Sequence, residues 1–178
     1  MKKILIFLVF VAFLFNGCQE IKESSAQVID SRYVEGLEYQ CAGLIEYTDT
    51  NGTLYCNHFP VAFKIGEIKL GIIYKMPDDG FILPQDIVKV PRDNLTNKDV
   101  IKVTTILQSL DSDKNPKNGI IITKETRDKL SDIMIDIKKE SLEDIKELIK
   151  AQIEDINFSD VNNSVVDLNR TMKRFNIR

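Results

Sequence analysis

The hydrophobic pattern of this chain changes period near residue 97, and that change constrains the fold more than any single residue does. Upstream, apolar and polar side chains alternate in short runs, the period of a half-buried strand. Downstream, apolar residues recur every three or four positions, the period of an amphipathic helix. Tyr33-Val-Glu-Gly-Leu-Glu-Tyr39 alternates cleanly. Leu44–Thr48 and Thr53–Cys56 flank Asp49-Thr-Asn-Gly52, which predicts a hairpin because Asn-Gly tolerates positive φ. Val61–Ile65, Glu67–Tyr74, Phe81–Leu83 and Asp86–Val90 read as further strands, with turns at Pro77–Gly80 and Pro84. Residues 33–96 therefore predict a β-rich module, an antiparallel, sandwich-like unit.

Residues 97–178 predict three to four helices packed beside it. Val100, Val103, Leu107 and Leu110 share one helical face. Leu130, Ile133, Met134 and Ile137 mark a second helix, with Thr123 as a possible N-cap. Ser141 and Asp144 form a capping arrangement for a third, which carries Leu142, Ile145, Leu148, Ile149 and Ile153. Asp160 caps a fourth, with Val165, Leu168, Met172 and Phe175 on its apolar side. The expected class is α+β.

The first residues carry an address. Lys2 and Lys3 precede an unbroken apolar run from Ile4 to Phe15, and Asn16-Gly17-Cys18 follows. The run is short of the roughly 20 residues that a permanent spanning helix needs, and a small residue before a cleavage point marks a removed signal. Gly17-Cys18 resembles the lipobox of bacterial lipoproteins, although Phe15 stands where that family has Leu. The resemblance implies a signal peptide over residues 1–17, acylation of Cys18 and a lipid bilayer as its partner. An ordinary cleaved signal and an uncleaved anchor are the alternatives. Gln19, rather than Asp, after the cysteine implies the outer membrane of an enveloped cell. Residues 18–32 are polar and read as a flexible tether.

Charge and composition narrow the function classes. The net charge of −3 falls to −5 once the two signal lysines are removed, which argues against nucleic acid as a partner. One histidine, His58, rules out a zinc site built from several histidines of one chain, and there is no tryptophan to stack a sugar. With Cys18 assigned to lipid, Cys41 and Cys56 remain as an even pair, which suggests a disulfide outside the cytoplasm; free or metal-bound thiols are the alternatives. A two-residue turn at Asn51-Gly52 would set residue 47 against 56. Cys41 then needs a different strand, or a loop that folds back, to reach Cys56.

Four segments carry a second resemblance. Val34–Tyr39, Tyr47-Thr-Asp-Thr-Asn-Gly-Thr-Leu-Tyr55, Phe63-Lys-Ile-Gly-Glu-Ile-Lys-Leu-Gly71 and Ile106-Leu-Gln-Ser-Leu-Asp-Ser-Asp-Lys-Asn-Pro-Lys-Asn-Gly-Ile120 are similar to a small β-rich repeat of secreted and surface adhesin-like bacterial proteins. Its β part also looks like the carboxypeptidase-regulatory class of small sandwich. The resemblance implies a non-enzymatic exported module and brings no catalytic residues.

Within the last segment, Asp111, Asp113 and Asn115 alternate in the one-three-five manner of calcium loops, and Lys117 could add a carbonyl. Pro116 stands where such loops have Gly, and Ile122 where they have a bidentate Glu. The competing reading is a helix-ending turn. Function thus reads first as a non-catalytic, lipid-anchored interaction module for adhesion or assembly. A calcium-binding domain with its loop at residues 111–119, and an envelope enzyme or inhibitor, follow.

Overall fold

A computed structural model of the chain describes residues 24–115 and 118–177. The class is α+β. Eight strands come first: β1 (Ser25–Val28), β2 (Val34–Glu35), β3 (Glu38–Cys41), β4 (Leu44–Tyr47), β5 (Thr53–Tyr55), β6 (Val61–Ile65), β7 (Ile68–Ile73) and β8 (Phe81–Ile82). Then follow α1 (Pro84–Val88), α2 (Lys98–Ser109), β9 (Ile120–Ile121), α3 (Lys124–Lys129), β10 (Ile135–Asp136), α4 (Leu142–Gln152) and α5 (Val161–Arg174). The strands form a five-stranded sheet ordered β10-β7-β6-β3-β4, a three-stranded sheet ordered β5-β1-β8 and a β2-β9 pair.

The sheets are mixed rather than purely antiparallel. β1 runs parallel to β8, β10 parallel to β7 and β9 parallel to β2. Two of these partners come from beyond residue 97, so the two halves of the chain share strands as well as a core. One contiguous cluster holds Val28, Leu37, Leu54, Phe63, Leu70 and Ile87 together with Val103, Ile106 and Leu107 of α2.

Several local expectations are corrected. Residues 44–47 and 53–55 do not pair with each other. β4 pairs with β3 through Ala42-Gly43, both at positive φ, and β5 pairs with β1. Asp49–Gly52 is still a tight turn, its backbone held by the Asp49 carboxylate at 2.8 Å from both Asn51 N and Thr53 N. It carries the chain from one sheet to the other. β1 lies so close to it that a Cβ on Gly52 would meet the Val28 carbonyl at 2.8 Å.

The expected tether is shortened. Ala26, Val28 and Ile29 are buried, because β1 sits between β5 and β8. Asp86–Val90 is not a strand: Pro84 opens α1, and the Asp86 side chain accepts from Leu83 N at 2.9 Å. The helix expected across 130–137 ends at Lys129. Ile135 and Asp136 pair with Ile68 and Lys69 instead, and Met134 is 80% exposed.

The caps do follow the sequence. Thr123 accepts from Thr126 N at 3.1 Å, Ser141 from Asp144 N at 3.1 Å and Asp160 from Asn163 N at 3.0 Å. α5 docks on α2 through a polar seam. Gln108 Nε2 donates to Asp30 Oδ1 at 3.0 Å and to the Ser164 carbonyl at 3.2 Å, and the Thr171 hydroxyl donates to the Ser31 carbonyl at 2.5 Å. Phe175 closes the end of the seam against Tyr33 and Phe81.

Asp30 is fully buried, and burial pushes its carboxyl up to about 8; Gln108 and Thr104 oppose the shift and Asp167 adds to it. The folded chain therefore binds this proton more tightly than the unfolded chain does. The contribution is full below the unfolded carboxylate value and is lost as pH rises toward 8, at up to about 1.4 kcal/mol per pH unit. Denaturant unfolding from pH 5 to 9 is expected to show stability falling across this window. Asp30→Asn should remove the slope between pH 5 and 8, and an unchanged slope would place its origin elsewhere.

Candidate interaction surface

The five-stranded sheet buries one face; the other is open around Gln40, Ala62 and Ile72, while Arg127 of α3 lies over its Glu38–Tyr47 end. Its register sets Gln40 beside Ile45 and Ala62, and Ala62 beside Ile72, in a row on the open face. The neighbouring row holds Glu38, Tyr47, Lys64 and Lys69. A cleft of about 260 Å³ lies here, lined by Ala62, Gly71 and Ile72, by Lys64, Lys69, Lys89 and Lys138, and by one carboxylate, Asp136.

β4 forms the edge of that sheet, and all four of its residues are exposed. Leu44 is 66% exposed, and Ile45 and Tyr47 50% each. Natural edges are commonly blunted by lysine, proline or a bulge. Here Glu46 is the single charge, and Tyr39 Oη donates to it at 2.8 Å. Along one side, the β4 backbone groups face no strand among the described residues.

Arg127 secures the far end of β4. It donates to the Gly36 and Ile122 carbonyls at 2.8 and 2.7 Å, and its guanidinium lies 4.2 Å from the Tyr47 ring centroid. Beneath it, burial pushes the Glu38 carboxyl up, opposed by the Gly66 N–H it accepts from and by Lys64 and Arg127. These contacts fix the Tyr47 end of the edge strand, which favours a preformed docking edge over one that must order on binding.

The sequence-derived candidates are distributed as follows. Cys41 and Cys56 are bonded, with Cα atoms 5.9 Å apart. Cys41 reaches Cys56 because Cys41 ends β3 of one sheet and Cys56 directly follows β5 of the other. Cys18 and Lys117 lie outside the described residues. Asp111 Oδ1 accepts from Ile121 N at 3.0 Å, while Ser112 N donates to the Ile121 carbonyl at 3.0 Å, tying the loop to β9. Burial and the nearby Asp113 raise the Asp111 carboxyl; the Ile121 N–H opposes this.

Asp113 accepts from Asn118 Nδ2 at 2.6 Å and from Asn115 N at 2.9 Å, which hold its carboxyl low. Its oxygens thus brace the loop's own backbone and amide, the arrangement of an Asx turn. Among the described residues, no three His, Cys, Asp or Glu side chains gather closely enough to hold a metal ion. His58 is exposed beside the disulfide, its backbone N–H directed at Cys56 Sγ, 3.4 Å away. Among the described residues, no hydrogen bond or ion pair joins its ring to a hydroxyl or carboxylate.

The exposed edge at 44–47 is the feature that sequence reasoning missed, since the expected hairpin gave those residues a partner. The available signal was Leu44-Ile45, two adjacent apolar residues that break alternation at the start of a strand. Comparison with protein families, with curated proteins and with solved structures finds no match to the chain.

Two outcomes test these assignments. Replacing Cys41 and Cys56 by Ser should cost about 3 kcal/mol in denaturant unfolding, the chain-entropy value for a loop of this length. Asp111→Ala should cost about 1–2 kcal/mol by stranding the Ile121 N–H, and equally with and without millimolar calcium. A loss seen only with calcium present would instead make the loop a cation site.

Proposed function

We propose that this chain is a non-catalytic lipoprotein of the bacterial envelope, held at the outer membrane through acylated Cys18, whose domain binds an extended segment of a partner protein along β4. The edge strand is the observation that carries the binding half of this reading. An open edge offers backbone hydrogen bonds to an added strand, and alternate exposed side chains offer selectivity. Leu44, Ile45 and Tyr47 supply apolar contact without a lysine or proline to repel the newcomer. The lysine-rimmed cleft on the adjoining sheet face suits a partner with acidic side chains beside its strand.

Two features support the export half. The lipobox-like Asn16-Gly17-Cys18 follows a signal-like run, and the Cys41–Cys56 bond is of a kind that persists in oxidising compartments. The resemblance of four segments to surface repeats fits adhesion or assembly.

Intact mass measurement of the non-reduced, envelope-purified protein should show loss of residues 1–17, added acyl mass and one disulfide; an unprocessed chain would sink the export half. A photo-crosslinker at residue 45 should capture one discrete protein in cells, and one at Leu148, exposed on α4, should not. In the chain without the crosslinker, Ile45→Lys should weaken co-purification of the captured protein by about tenfold or more while leaving the unfolding midpoint unchanged. Equal capture from positions 45 and 148 would remove β4 from the interface.

A further inference from the structure

The register of the five-stranded sheet gathers exposed apolar side chains at one of its ends. Leu44 pairs with Cys41, and Val61 pairs with Ile73; just beyond this row lie Phe59-Pro60 and Tyr74. Leu44 is 66% exposed, Tyr74 61% and Phe59 38%; Tyr55 of β5, 45% exposed, is brought to this end from the other sheet by the neighbouring Cys56–Cys41 bond. Lys75 follows Tyr74 and makes a loose, exposed ion pair with Asp78 at 3.9 Å, and Lys89 Nζ lies 4.2 Å from the Tyr74 ring centroid. Isolated exposed hydrophobes are ordinary, but several at one end of a sheet make a patch that marks an interaction.

The chain arrives at this patch. Ser24 N donates to Asn57 Oδ1 at 2.6 Å, its carbonyl accepts from Cys56 N at 2.9 Å, and Cys56 is bonded to Cys41 of the same end row. Residues 19–23 therefore connect Cys18 directly to the Leu44–Phe59–Tyr74 end. At full extension the steps from Cys18 to Ser24 span no more than about 20 Å. A domain of this length is roughly 40 Å across. A lipid-anchored Cys18 would keep this end beside the bilayer and hold the opposite end, at Gly66 and Met134, away from it.

We propose that this end of the sheet is a membrane-docking surface, with Phe59, Tyr74, Tyr55 and Leu44 seated at the boundary of headgroups and acyl chains and Lys75 and Lys89 reaching lipid phosphates. The inference rests on the lipoprotein reading of Cys18. The chemistry fits that occupant: aromatic rings with one polar edge concentrate at membrane interfaces, and lysines extend their ammonium groups toward the headgroups. A second copy of the chain is the competing occupant.

The chain has no tryptophan, so an introduced one reports alone. Phe59→Trp, Tyr74→Trp and Met134→Trp are made in the full-length precursor, and each mature lipoprotein is reconstituted into phosphatidylethanolamine–phosphatidylglycerol vesicles with brominated acyl chains. Residues seated at the acyl boundary come within contact range of bromine. Quenching of about twofold or more is expected at positions 59 and 74, with Met134→Trp unchanged.

Acylated protein with all three positions unquenched overturns the docking surface and leaves the lipoprotein reading standing. So does protection of positions 59 and 74 from aqueous iodide without bromine quenching, the result a second copy would give. Mass measurement on the same samples reads acylation directly; an unmodified Cys18 overturns both proposals. An unchanged unfolding midpoint in each variant confirms that the fold is intact.

Discussion

The covalent bond between Cys41 and Cys56 joins the two principal sheets, and the layout of the exposed surface follows from that joint. β3 lies second from the edge of the five-stranded sheet, and Cys56 directly follows β5 at the edge of the three-stranded sheet. Holding these points together places Ser24, Asn57 and Phe59 against the end row of the larger sheet. It also leaves β4 outermost. β5 pairs with β1 in the other sheet, so the segment that follows β4 in sequence does not cover it. An edge that a simple hairpin would have closed is open because its neighbour in sequence belongs to another sheet.

How much of this was legible follows the range of each interaction. The caps at Thr123, Ser141 and Asp160 depend on residues three positions away, and each is where the sequence put it. The stripe of Val100, Val103, Leu107 and Leu110 is buried, as its spacing required. Partner choice was not legible. Asn51-Gly52 announces a turn and says nothing about which strands it separates; a distant β1 takes the place of β4 beside β5. Leu130, Ile133 and Ile137 lie at helical spacing, yet the chain bends out to pair Ile135 with Ile68. The alternation in Ser25–Val28 is too short to outweigh a polar neighbourhood, and two flanking strands make it a central strand.

The candidate site was less legible still, because an edge is a property of the finished sheet. Exposure at Leu44 and Ile45 depends on what fails to lie beside them. The acidic loop shows the reverse case. Asp111, Asp113 and Asn115 carry the oxygens of a cation loop, but Asp111 holds Ile121 N and Asp113 holds Asn115 N and Asn118 Nδ2. A carboxylate committed to backbone amides already has its charge partly compensated. A cation would have to displace those bonds or share the remaining lone pairs. The same residue types thus serve as ligands or as braces, and the backbone around them decides between the two.

The two proposed surfaces constrain each other through the direction of β4. Leu44 belongs to the end of the sheet where the chain enters, and Tyr47 to the opposite end, pinned under Arg127. With the Leu44 end against a bilayer, β4 stands away from the membrane rather than along it. A strand added to it would then run between the bilayer and the Gly66–Met134 end. A partner of that geometry approaches from the side with one terminus near the headgroups, as a segment leaving a membrane-embedded protein would. A partner arriving from above would meet the exposed Met134 first, beside the two-residue β10 at the other edge of the sheet, and would reach β4 only from its Tyr47 end. With Cys18 acylated, tether length, sheet register and edge exposure would act as one device: the first would limit height, the second set orientation, and the third leave the side of the domain available.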